Sequence, residues 1–169
     1  VLKRVLVAAL TLVILTLGAL AVSADFRKAV YTMIQKFLPI EMQLTYQVDG
    51  EPLEQLPNGY SDHYVPDGFE RDYEQGYDDA QAFLHVYTDI MTNDFYTVSC
   101  AIVQNQNQKE LFDNEHTKYR KVKMGDVEAL LGEDKNTGYY LVWEDEGITH
   151  TIIGRISIRE LMLVAQKIY

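Results

Sequence analysis

Four histidines, His63, His85, His116 and His150, are the side chains here best suited to hold a metal or move a proton near neutral pH. No two stand at the His-x-x-x-His or His-Glu-x-x-His spacing that sets two rings on one helix face. His85 and His150 fall inside apolar strand-like runs, so hydrogen-bonded or surface roles are expected for them rather than ligation. Asp113 to His116, "DNEH", is a compact polar cluster in a loop-like stretch, and "SDHYVPDG" lacks the oxygen-ligand spacing of a calcium loop. Glu144, Asp145 and Glu146 could form an acid/base set, but they read better as a solvated turn. Cys100, the single cysteine, lies in "FYTVSCAIV" and is expected to be a small core residue rather than a nucleophile. Neither a Gly-rich phosphate cradle nor a Gly-x-Ser-x-Gly elbow occurs. The expectation is therefore no catalytic residue, no cofactor, no metal ligand and no enzymatic activity.

Lys118, Arg120, Lys121 and Lys123 concentrate positive charge in an otherwise acidic region. Alternation along a strand puts Lys121 and Lys123 on one face, Lys118 and Arg120 on the other. This is either an edge strand guarded by charge or a docking face for an acidic partner.

The elements that would position these groups follow from periodicity. "MQLTYQV" alternates as a half-buried strand, with Met42, Leu44, Tyr46 and Val48 on one face. "EPLEQLPNGYSDH" reads as a polar loop, and a Pro-Asp-Gly turn precedes "FERDYEQ", where Phe69 and Tyr73 face away from Glu70, Asp72 and Glu74. "AQAFLHVYT" and "FYTVSCAIV" are further strands. "QNQNQKELFDNEH" is expected to be a mobile connection because it is the least apolar portion. "YYLVWEDEGITHTIIG" is a hairpin folded over the charged turn Glu144 to Gly147. Ser157 and Glu160 in "SIRE" form a capping box, after which Ile158, Leu161, Val164, Ala165 and Ile168 make one apolar stripe. Strands followed by a terminal helix imply an α+β domain over residues 40–169, a mainly antiparallel sheet with the helix packed on it.

Residues 1–24 read differently. Val5 to Val22 carry no charge, and as a helix of ~1.5 Å per residue they would span ~27 Å, close to bilayer thickness. A membrane anchor contacting lipid through residues 5–22 is expected, with a cleaved signal segment as the competitor because "VSA" (22–24) offers small residues to a peptidase. Lys3 and Arg4 before the run place the N-terminus in the cytoplasm and the folded part outside the cell, a single-pass arrangement. Residues 25–39, "DFRKAVYTMIQKFLP", have helical spacing and are expected to form a juxtamembrane amphipathic helix, resting on lipid or on the sheet. The chain opens with Val rather than Met, as a piece of a longer protein or one with an alternative start codon would. Of the 15 basic residues only Lys3 and Arg4 precede Asp25, so 13 remain beside all 25 acids, a net charge of −12 that excludes nucleic acid as a partner.

"YVPDGF" (64–69), "LVWEDEGITHTIIG" (141–154) and "ISIRELMLVAQKIY" (156–169) together resemble the bacterial domain of unknown function 4367. Its members share a Tyr-x-Pro-x-Gly-Phe opening, a Leu-Ile-Trp-Glu strand and a closing Leu-Ser-x-Glu-Glu-Leu helix. Ile156, Ser157, Arg159, Glu160 and Leu161 occupy the last motif here, with Arg159 in place of the usual acid. The likeness covers about residues 60–169, and the apolar run plus "FRKAVYTMIQKF" is similar to the segment preceding the domain in many members. It implies a membrane-tethered extracytoplasmic domain of Gram-positive gut and soil bacteria, in some relatives encoded beside sigma factors and resembling anti-sigma regulators. It carries over no catalytic residue, and it implies turns at Gly68 and Gly147, a core place for Trp143 and a cap at Ser157.

Function is thus expected to be non-enzymatic: a tethered binding or sensing module, with a protein or small apolar ligand as partner, in an anti-sigma-like envelope regulator. The alternative is a lipid- or peptide-binding carrier, secreted or tethered.

Overall fold

The computed structural model describes residues 34–37, 41–46, 52–104, 108–113 and 116–169. The expected membrane segment 1–24 and most of the expected helix 25–39 lie outside them. Among the described residues, ten strands and one helix follow in chain order: β1 (Ile34–Phe37), β2 (Glu41–Tyr46), β3 (Phe69–Asp78), β4 (Ala82–Asp89), β5 (Phe95–Ile102), β6 (Gln108–Asp113), β7 (Thr117–Met124), β8 (Val127–Asp134), β9 (Gly138–Asp145), β10 (Ile148–Gly154) and α1 (Ile158–Ala165). Among the described residues no helix is long and apolar enough to cross a membrane.

Seven strands form one antiparallel sheet in the order β3-β4-β5-β10-β9-β8-β7. Period-2 alternation sends Phe83, His85 and Tyr87 of β4, and Tyr96, Val98 and Cys100 of β5, to the same face. There they join Ile152, Leu141, Trp143 and Leu131, and the stripe of α1 closes over them with Leu161 and Val164 fully buried. Each such buried side chain contributes about 1.5–3 kcal/mol. The α+β class and the packed C-terminal helix stand as expected. The Ser157 Oγ accepts the Glu160 N–H at 3.1 Å, so the helix begins where the capping pattern placed it.

A second, three-stranded sheet runs β1-β2-β6. Leu44 and Tyr46 of β2 pack with Val103, Leu130 and Val142 on the other face of the large sheet, joined by the half-buried Tyr119. Two expectations need correction here. "QNQNQKELFDNEH" is not simply a connection, because Gln108–Asp113 pair residue for residue with Tyr46–Glu41. Ladder hydrogen bonds, which every residue but proline can make through both backbone groups, outweigh a polar composition. Ile34–Phe37, assigned by periodicity to the end of a helix, pair as a strand with Thr45–Met42.

Candidate functional site

The turn that folds β9 onto β10 is two residues long, Glu146 and Gly147, both with positive φ (53° and 83°), the backbone that a tight hairpin requires. Glu144 and Asp145 therefore belong to β9. Glu144 corrects the reading of a solvated acidic turn: it is half-buried, its Oε1 accepts the Gly147 N–H at 2.7 Å, and burial pushes its pKa up to about 7. Asp145 and Glu146 are exposed.

Register across the sheet brings Phe83, Cys100, His150 and Trp143 abreast on the helix side. The imidazole of His150 and the indole of Trp143 stack with centroids 4.5 Å apart and planes within 3°. Tyr60, from the segment before β3, places its hydroxyl 2.5 Å from His150 Nε2. His150 is 2 % exposed, and its Nδ1 is buried without a hydrogen-bond partner. Burial pushes its pKa down to about 4 against the weaker upward pull of the Trp143 and Ile148 backbone. The ring is therefore neutral at pH 7, and Tyr60 O–H donates to Nε2 when the proton sits on Nδ1. Burial likewise raises the Tyr60 phenol, reinforced by Cys100, Asp145 and Glu146. Cys100 is fully buried, and burial raises its thiol, as suits a core residue rather than a nucleophile.

Above this ring pair lies a cleft of about 370 Å³, bounded by the β7–β8 turn (Met124, Gly125, Val127), the end of α1 (Ala165, Gln166), Ile168, Tyr60 and Asp145. Its lining is divided about evenly between polar and apolar surface, and Asp145 is the one charged residue on it.

A second histidine is locked from the same segment. Asp62 Oδ1 lies 2.5 Å from His85 Nδ1, Asp78 Oδ1 lies 2.7 Å from His85 Nε2, and Tyr87 donates its hydroxyl to Asp62 Oδ2 at 2.5 Å. Two carboxylates accept from the two ring nitrogens, so His85 carries both protons. Burial opposes its charge, but the hydrogen bonds it donates to both aspartates outweigh it and raise its pKa. Burial also opposes charge on Asp62 and Asp78; hydrogen bonds from His85 and from Tyr87 or Arg71 outweigh it and hold both below the usual carboxylate value. Asp78 reaches the ring through a bulge, where the β3–β4 register shifts between Asp72 and Gly76. Gly76 adopts φ +92°, and a Cβ there would sit 2.1 Å from the Leu84 carbonyl oxygen, so glycine is required. Asp62 is delivered by the stretch after α1: Ser61 and Tyr169 exchange backbone hydrogen bonds, His63 N–H donates to Lys167, and Asp62 bridges Ile168.

Sequence reasoning marked His85 and His150 as satisfied or surface residues. His85 is satisfied on both nitrogens and His150 on one. Tyr60, Asp62 and Asp78 were missed: they sit in polar stretches whose composition reads as loop or surface, and Tyr60 and Asp62 have partners distant in sequence, while Asp78 reaches His85, seven residues on, only through the bulge. His63 Nε2 lies 3.1 Å from the Tyr169 carbonyl, and His116 is exposed just before β7. Among the described residues no group of three or more His, Cys, Asp or Glu could hold a metal ion. Lys118, Arg120, Lys121 and Lys123 are all exposed on β7, an outer strand of the sheet, on the alternate faces that period-2 geometry predicts. Lys121 pairs with Glu128 at 2.6 Å.

The profile of the family described as a domain of unknown function (DUF4367) matches residues 59–168. That span starts beside Tyr60, ends at the Asp62–Ile168 bridge, and takes in the whole seven-stranded sheet and α1. Neither the curated proteins nor the solved structures contain a match. With its matched span covering most of the sequence and both histidine clusters, this chain belongs to the DUF4367 family.

Proposed function

We propose that the chain is a non-enzymatic binding or sensing module, tethered to the membrane through residues 5–22 with its folded body outside the cell, and that the Trp143–His150 cleft seats its ligand. The observation that carries this reading is the cleft: about 370 Å³, with polar and apolar groups in about equal measure on its walls and the stacked Trp143 and His150 rings on its lining. Small-molecule sites fall at about 300–1,000 Å³ and combine apolar surface with a few placed polar groups. The charge-free run behind Lys3 and Arg4 supports the tether.

Trp143 is the single tryptophan, so in protein-free lipid its emission reports the cleft. The full chain in phosphatidylcholine vesicles is titrated with small amphiphiles and short tryptophan-free peptides that are cationic, anionic or neutral. A saturable change in emission is expected for at least one class; no change across the panel overturns the binding role. Protease added to intact cells should digest the folded body, and its survival overturns the placement outside.

In the regulatory form of this reading the module is anti-sigma-like, and a cytoplasmic segment continuous with Lys3 and Arg4 binds a sigma factor. Failure of such a segment to bind one removes that form. A lipid or peptide carrier is the second reading, favoured by the apolar side chains Met124, Val127, Ala165 and Ile168 on the same lining. A carrier passes bound ligand to acceptor vesicles, whereas a sensor retains it.

A further inference from the structure

Two clefts meet at Tyr60. Beside the one at Trp143 lies a second of about 330 Å³, bounded by residues 55–61 and by the end of β3 with the turn after it (Asp78, Asp79, Ala80), with Phe83 on its lining. In the row that register sets abreast, Phe83 belongs to this second cleft, and His150 and Trp143 belong to the first. Cys100, between them, is fully buried and is on neither lining. Neighbouring strands stand about 4.8 Å apart, so the row runs about 14 Å from Phe83 to Trp143. Among the described residues Tyr60 alone is on both linings. It is held at both ends: its N–H donates to the Pro57 carbonyl at 3.0 Å, the next residue, Ser61, exchanges backbone hydrogen bonds with Tyr169, and its hydroxyl lies 2.5 Å from His150 Nε2. A ring fixed in this way is a wall.

We infer that Tyr60 sets the length of the ligand: it closes the Trp143 cleft against its neighbour, so that the site takes a short linear chain with polar ends and turns away longer chains of the same chemistry. This rests on the Trp143 cleft being a ligand seat, as proposed above. The rings and the apolar side chains of Met124, Val127 and Ile168 suit the middle of such a chain, and the polar part of the lining suits its ends. Each methylene that finds room adds roughly fourfold in affinity. One that meets the Tyr60 ring adds nothing, because it stays in water or must force a packed side chain aside.

The test titrates linear α,ω-alkanediols, from butanediol to dodecanediol, into the full chain in phosphatidylcholine vesicles. Trp143 emission is the readout, and free diol is measured after the vesicles are pelleted. The diols are uncharged, so length is the one variable. In the wild type, affinity should climb roughly fourfold per methylene and then stop climbing within the series. Tyr60→Ala should carry the climb through several further methylenes, so that the longest diols bind at least about tenfold more tightly than they do to wild type. Tyr60→Leu should fall between the two, and it decides the matter if Tyr60→Ala proves unfolded by circular dichroism. Tyr60→Phe keeps the ring and loses only the bond to His150, so its climb should stop at the wild-type length. A wild-type climb that runs on to dodecanediol, or a stop that stays in place in the folded smaller variants, overturns the length limit and leaves the binding role standing. A stop that moves as far in Tyr60→Phe as in Tyr60→Ala overturns it too, because the ring is then not the wall. If no diol alters Trp143 emission in any form, the length inference fails, and the wider panel above then decides the binding role.

Discussion

Asp62 Oδ1 lies 2.5 Å from His85 Nδ1, and both side chains are only 1 % exposed. The pair fastens the segment before β3 to the middle of β4. Two residues earlier in that segment, Tyr60 meets His150. The clamp therefore fixes where one wall of the cleft stands.

Breaking the clamp on one side leaves an imidazolium buried without its best partner. Asp62→Asn should cost about 3–5 kcal/mol, the usual penalty for removing half of a buried ion pair. Urea denaturation of the variant against wild type measures it. Tyr87→Phe removes only the neighbouring hydroxyl bond to Asp62 and should cost less, about 1–3 kcal/mol.

The clamp should also leave a signature in pH. His85 has a raised folded pKa, so its contribution is complete below the unfolded value of about 6.5 and is lost as pH rises through the folded one. Asp62 and Asp78 have lowered values, so theirs is present above about 3.9 and is lost as pH falls through their folded ones. His150 and Glu144 act oppositely to one another: keeping His150 neutral makes stability rise with pH between about 4 and 6.5, and raising Glu144 to about 7 makes it fall between 4.5 and there. Subtracting the stability curve of His85→Gln isolates the clamp. The wild-type advantage should be largest between about pH 4 and 6.5 and shrink to alkaline pH; an advantage that grows above neutrality contradicts a charged His85.

The helix packs by one stripe. Leu161 is fully buried against the sheet, and Leu161→Ala should destabilise the domain by about 2–5 kcal/mol through lost transfer energy and the cavity left behind. Arg159→Ala, on the exposed side, should stay within about 0.5 kcal/mol. Thermal melts followed by circular dichroism compare them.

β7 is an outer strand carrying Lys118, Arg120, Lys121 and Lys123, and charge of this kind keeps outer strands from pairing with other chains. Replacing all four with Gln should raise concentration-dependent association in light scattering. The fold should survive, because exposed pairs such as Lys121–Glu128 contribute about 1 kcal/mol or less. A soluble variant that has lost capture of an acidic partner would instead assign the four residues to docking.

The strands of the large sheet were legible because alternation is local. "AFLHVYTD" and "FYTVSCAI" declare their inward faces without reference to the rest of the chain, and "SIRE" declares a helix start in four residues. β6 was not legible, since four of its six residues are polar, they follow a run of Gln and Asn, and only pairing with β2, more than sixty residues earlier, makes them a strand. Glu144 was misjudged for a related reason: its neighbours are charged, and its burial comes from how the hairpin lies on the rest of the fold.

What the sequence by itself determined is the α+β class, most strands of the large sheet, the helix start and the family; the face expected for Phe69 and Tyr73 of β3 did not hold, because the register shifts after Asp72 and Tyr73 is 83 % exposed. Only the tertiary structure decided that Tyr60 would meet His150 ninety residues away and that Asp62 and Asp78 would converge on His85. The physical reason is range. Side-chain alternation and capping depend on residues a few positions apart, whereas those histidine partners depend on strand order, on one bulge at Gly76, and on the stretch after α1 pinning Ser61 to Tyr169.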